Sequence, residues 1–202
     1  SSDSRFPIFM PIYFLPVRMS GVHGKAVSLL YAAPLPTERE YYDMTTAKGL
    51  DNLLDVMKTM AATERLIGDF YRACAEKWEE DRLFWSHIAD EEEQHARYIE
   101  RMAGIITEKP ERFEIGRPFS QAAAQTVMNG IKENMNRLEE GSISREKLLF
   151  ITRDMEHSIM EKNYGEIVKT SDHEYLALIR EIVEETARHR SSIDERIRAM
   201  KA

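Results

Sequence analysis

Five residues stand where helical periodicity calls for apolar side chains, and their types suit cation binding: Glu64, Glu92, His95, Glu156 and His189. Glu64 interrupts the series Met60, Ala61, Ile67, Tyr71, and Glu92 with His95 interrupts Ile88, Ala89, Ile99, Met102. Glu156 falls between Thr152 and Ile159, although neighbouring Met155 is an alternative inward residue there. Thr186 and His189 lie between Ile182 and Ile193. Charged groups are rarely buried without a partner, because desolvation costs several kcal/mol or neutralises them. Four apolar stripes that each carry such groups need a common compensator, and a metal ion is the most economical one. Glu92 and His95 form Glu-x-x-His, which puts carboxylate and imidazole on one helix face about 60° apart. They can therefore converge on one ion or on two neighbouring ions. Carboxylate and imidazole donors without thiolate favour iron or manganese, with zinc as a tolerated substitute.

These residues need long helices to position them. Leu50, Leu53, Leu54, Met57, Met60, Ala61, Ile67, Tyr71, Cys74 and Trp78 recur at spacings of three and four, and Glu79 to Asp81 makes a turn. Trp85, Ile88, Ala89, Ile99, Met102 and Ile106 form a second stripe, which Lys109-Pro110 ends. Ser120 is placed to cap a shorter helix with Ala123, Val127, Ile131, Met135 and Leu138, closed by Glu140-Gly141. Leu148, Leu149, Thr152, Met155, Ile159, Asn163 and Ile167 predict another long helix. Ser171 with Glu174 forms a capping box for the last helix, whose stripe is Tyr175, Leu178, Ile182, Ile193, Ile197 and Met200. No segment alternates as a strand would. The expectation is an all-α fold: a four-helix bundle of two helical hairpins, joined by a crossover that contains the short helix.

A faint internal repeat supports this pairing. Glu64 to His95 spans 31 positions and Glu156 to His189 spans 33. Ile88, Glu92, His95 and Ile99 are matched by Ile182, Thr186, His189 and Ile193. Tyr71 lies seven residues after Glu64, and Tyr164 eight after Glu156. Residues 1–43 differ in character: Pro7, Pro11 and Pro16 interrupt an apolar run and break any spanning helix. They read as an irregular extension, with the bundle occupying 44–202. Pro34 follows the one plausible small-residue cleavage point, which argues against a signal peptide.

Among 202 residues, 28 are basic and 35 acidic, for a net charge of −7, and no Lys/Arg stripe stands out. That disfavours nucleic acid and anionic membranes as partners. The single cysteine excludes an intramolecular disulfide framework and any Cys-rich metal centre, and suits a cytoplasmic protein. The eleven methionines read as core filler. His23, His87, His157 and His173 fall on loops, caps or stripe edges and receive no role.

The stretch 45–202 resembles the rubrerythrin-like branch of the ferritin-like family. The resemblance rests on Glu64 with Tyr71, the run Ile-Ala-Asp-Glu-Glu-Glu-Gln-His ending at His95, Glu156, and His189. It implies a di-iron site in which Glu64 and Glu156 are the single carboxylates of the first and third helices. Glu92 would bridge the metals, and His95 and His189 would be the imidazole ligands. It also implies O2 or peroxide as oxidant, and a homodimer. Two departures stand out. Thr186 occupies the place of the second Glu-x-x-His glutamate, with Glu185 about 100° round the helix. No Cys-x-x-Cys pairs are present, so electrons must come from a separate donor protein. An oxidoreductase is the first expectation. Non-catalytic iron binding or delivery, and a bundle with a degenerate site, are the alternatives.

Overall fold

The computed structural model describes residues 47–116, 121–157 and 164–200. Within them the chain is all-α apart from one short ribbon. Helix α1 spans Ala47–Lys77, α2 Arg82–Glu108 and α3 Gln121–Glu139. Helix α4 spans Arg145–Glu156, α5 Tyr164–Ile167 and α6 His173–Met200. Strand β1 (Phe113–Ile115) pairs antiparallel with β2 (Val168–Thr170), with Phe113 opposite Thr170 and Ile115 opposite Val168. The expected boundary near Met44 and the Ser120 cap lie outside the described residues. No described helix is long and apolar enough to cross a membrane.

Local signals set most helix ends. The turn expected at Glu79 to Asp81 is a single 3-10 turn between α1 and α2. Gly141 adopts φ +72°, the left-handed conformation that closes α3, and its amide donates to the Leu138 carbonyl. Ser144 caps α4 by accepting from the Lys147 amide. The cap of α6 differs from expectation: Asp172, not Ser171, accepts from the amides of Glu174 and Tyr175 at 3.1 and 3.2 Å. Asp172 is buried, and its own amide is held by Thr170 Oγ1 at 3.0 Å, so the ribbon fixes which residue caps.

The third long helix is much shorter than the sequence predicts. It has 12 residues and ends at Glu156, and Ile167 closes the separate segment α5. Ile159 and Asn163 lie outside the described residues. Val168 and Thr170 are β-branched and find a partner in β1, so pairing across the sequence prevails over a continuing helical period. Tyr164 consequently opens its own segment and is not the counterpart of Tyr71 on a shared helix.

The core is divided by a polar layer. One apolar cluster holds Leu53, Met57 and Met60 of α1, Ile99 and Met102 of α2, and Tyr175 and Ile182 of α6. The other holds Phe70 and Cys74 of α1, Trp85 and Ile88 of α2, Leu148 of α4, and Ile193 and Ile197 of α6. Between them on α1, α2, α4 and α6 lie the buried polar residues Glu64, Glu92, His95, Thr152, Glu156, Thr186 and His189. Helices α1 and α6 run from the first cluster to the second, and α2 runs back. Helix α4 starts in the second cluster and runs the same way as α2. Helix α3, packed on α1, carries the chain back between them. Cys74 is fully buried, and burial pushes its thiol up, consistent with an inert apolar role.

Asp81, 3% exposed, ties three elements together. It accepts from Arg145 at 2.5 and 2.9 Å and from Arg196 at 2.8 Å. Hydrogen bonds from Arg145 hold its carboxyl below the usual range despite burial, helped by the charges of Arg145 and Arg196. The contribution is present above the ordinary aspartate value and is lost as pH falls through the folded one. Asp81→Asn is expected to cost about 2 kcal/mol at neutral pH in urea unfolding. The cost should shrink below roughly pH 4.

Candidate metal centre

All five expected residues meet in the polar layer, each at most 2% exposed. Their ligand atoms form two triads, Glu64–Glu92–His95 and Glu92–Glu156–His189, with the atoms of each triad within 4.8 Å of one another. Ligands at about 2.0–2.2 Å around one ion span little less than that. Glu92 belongs to both triads. Its Oε2 lies 3.1 Å from His95 Nδ1, and its Oε1 lies 3.2 Å from His189 Nδ1. Glu156 Oε2 is 3.7 Å from the same His189 nitrogen. The two imidazole rings are 5.8 Å apart, centre to centre. Burial of Glu156 with Met155 only half-buried resolves which of that pair faces inward.

The helices make this convergence possible. Each of the five replaces an apolar residue in its stripe, so packing the stripes brings these side chains inward without local distortion. Gly68, one turn beyond Glu64, lets α1 approach α2 at this level. A Cβ there would lie 3.1 Å from the Ala89 carbonyl oxygen and 3.4 Å from Glu92 Cβ.

Three residues join the site that the sequence did not assign to it. His95 Nε2 donates to Glu185 Oε2 at 2.9 Å, and His189 Nε2 donates to Glu91 Oε2 at 2.9 Å. The contacts are reciprocal: α6 orients the histidine of α2, and α2 orients the histidine of α6. The acidic run Asp90 to Glu93 reads in sequence as a solvated face from which only Glu92 turns inward, yet Glu91 is half-buried against His189, and Glu185 pairs with His95. Tyr71, a member of the apolar stripe of α1, donates to Glu156 Oε1 at 2.5 Å while its ring stacks on Trp85 at 5.5 Å. His87, His157 and His173 are exposed, as expected, and His23 lies outside the described residues.

Electrostatics show how the layer is neutralised without an ion. Burial opposes charge on Glu92, but pairing with His189 and His95 outweighs it and holds the carboxyl at about 2. Burial likewise opposes protonation of His95, yet Glu92 and Glu64 raise it to about 9. His189 is raised to about 11 by Glu156 and Glu92 against the same penalty. Burial raises Glu156 above the ordinary glutamate range, and Glu92 adds to the effect. Protons on the imidazoles stand in for a cation.

Glu156 Oε2 and Thr186 Oγ1 are nevertheless buried without hydrogen-bond partners, and His189 Nδ1 meets Glu92 Oε1 and Glu156 Oε2 only as ion pairs, at 3.2 and 3.7 Å. Buried polar atoms are normally paired, so orphans gathered in one layer indicate that something else belongs there. Carboxylate and imidazole donors on a common layer fit a divalent ion, and these Glu/His clusters could hold one. The carboxylates behind each imidazole direct Nδ1 toward the centre, an arrangement that strengthens metal ligands. Glu185→Ala is expected to weaken metal binding by about 10–100-fold in chelator competition. Glu185→Gln, whose amide oxygen still accepts, should retain most of the affinity.

No family model matches this chain, and comparisons with curated proteins and with solved structures find no match.

Proposed function

We propose that residues 44–202 form a ferritin-like bundle of the rubrerythrin-like branch, holding a carboxylate-bridged pair of iron ions that reduces O2 or peroxide. The observation that carries this reading is Glu92: one buried carboxylate offers an oxygen to each of two adjacent triads. Oxygen and imidazole donors favour iron, with manganese or zinc as substitutes. When bound, the iron pair supplies the electrons for reducing the oxidant. The protein holds and isolates the pair. Glu185 and Glu91 fix the imidazoles, Tyr71 occupies one oxygen of Glu156, and the two apolar clusters keep bulk water from both ends of the layer. Glu156, the carboxyl that burial pushes up, is suited to hold a proton when the layer is empty. Electrons for repeated turnover come from a separate donor protein.

Iron capture or delivery without turnover is the second reading. Thr186 favours it, because a missing carboxylate loosens the grip on the ions. Anaerobic loading with Fe(II), followed by exposure to peroxide or O2, separates the two. Oxidation much faster than that of free Fe(II) supports the enzyme. Stoichiometric uptake with oxidation no faster than free iron supports delivery and ends the catalytic reading.

A further inference from the structure

Thr186 is the residue that the repeat places opposite Glu92. Each lies three positions before a buried histidine, on the inward face of its helix, and Thr186 is 1% exposed. Its hydroxyl behaves unlike the other helical threonines of the described residues. Thr59, Thr63, Thr107 and Thr126 each donate to the carbonyl four residues back, and Thr152 donates to that of Leu149 three back. Thr186 Oγ1 makes no such bond and is buried without a partner. Glu156 Oε2, in the triad that shares helix α6 with Thr186, is likewise buried without a hydrogen-bond partner.

Charge and size point the same way. Two divalent ions bring four positive charges, whereas Glu64, Glu92 and Glu156 bring three negative ones and the ligating imidazoles are neutral. The inner ligand set is one negative charge short, and an uncompensated buried charge is strongly disfavoured. Glu185 and Glu91 do not supply the difference at the ions, because they sit behind His95 and His189, and Glu185 also pairs with Arg188 at 3.3 Å. A threonine side chain stops one bond short of where a glutamate carboxyl carbon would be. What is missing has the charge and chemistry of a small carboxylate.

We propose that the position left open by Thr186, beside Glu92 and His189, binds a small monocarboxylate from solution, with the Thr186 hydroxyl donating a hydrogen bond to it. This rests on the metal-binding reading above. The loaded protein would then have an exchangeable acidic ligand where its relatives by resemblance have a fixed side chain, and a carboxylic acid could enter beside the metals.

Cobalt(II) tests this without any turnover, because its visible spectrum reports its ligands. The wild-type chain is loaded with Co(II) and titrated with formate. The expected result is two Co(II) per chain and a saturable spectral change. Thr186→Glu should bind two Co(II) more tightly and lose the formate response. Thr186→Val, which removes only the hydroxyl and keeps the shape, should still bind two Co(II) but weaken formate by about tenfold or more. A wild-type spectrum unchanged by formate at full Co(II) occupancy would overturn the inference and leave the metal centre standing. Equal formate affinity in Thr186→Val would overturn the role of the hydroxyl. Failure to bind Co(II) at all would remove both the inference and the reading it rests on.

Discussion

Glu92→Ala is expected to empty both metal positions at once, while Glu64→Ala leaves one. The asymmetry follows from geometry, since Glu92 belongs to both triads and Glu64 to one. Loss of a shared ligand should weaken each position by at least about a hundredfold, beyond the range for residues that only support a ligand. The metal-free protein should also suffer. Glu92 faces His95 at 3.1 Å and His189 at 3.2 Å, so its removal leaves two buried imidazoles without their common counter-charge. Breaking a buried charged network in this way costs about 3–5 kcal/mol. Glu92→Gln keeps the volume and serves if the alanine variant does not fold. Calorimetric titration with Fe(II) or Mn(II) gives the stoichiometry, and urea unfolding of the metal-free variants gives the stability.

A second large effect is the stabilisation conferred by metal, and it should grow with pH. A ligand present at a thousand times its dissociation constant stabilises the folded state by about 4 kcal/mol. For a chain of this size that raises Tm by roughly 10 °C. The pH dependence comes from the histidines. In the metal-free protein His95 and His189 are raised to about 9 and about 11. Groups raised on folding stabilise fully below their unfolded value near 6.5, and that contribution is lost as pH rises through the folded values. Metal binding requires neutral imidazoles, so it releases those protons and strengthens as pH rises. The Tm difference between loaded and metal-free protein should therefore be wider at pH 8.5 than at pH 6.5. Proton release should appear as a buffer-dependent enthalpy in calorimetry. A difference that narrows with pH would mean that the imidazoles are not displaced by the ion.

The inward polar residues were legible in the sequence because most of them break a strong period. Glu64 among Met60, Ala61 and Tyr71 announces itself as an inward charge, and so does His95 between Ile88 and Ile99. Glu91 and Glu185 were not legible. Both sit at the edge of their stripes, half-buried, and their roles depend on α2 and α6 facing each other, which no local pattern encodes. The same holds for Tyr71, whose hydroxyl reaches Glu156 across 85 positions of sequence. The ribbon escaped for a related reason. Val168 to Thr170 continues an acceptable helical period and becomes a strand only beside Phe113–Ile115. Asp172 displaced Ser171 as the cap because the ribbon delivers the chain to α6 in a fixed register. Local periodicity thus reported which residues turn inward, while partners distant in sequence decided what those on the edges do.

The most direct test of the paired centre is the number of ions retained per chain after anaerobic Fe(II) loading and removal of free metal by gel filtration. Two per chain, falling to none in Glu92→Ala, is the expected result. No retained iron in the wild-type chain would contradict the metal centre itself. One ion would contradict the bridging role of Glu92.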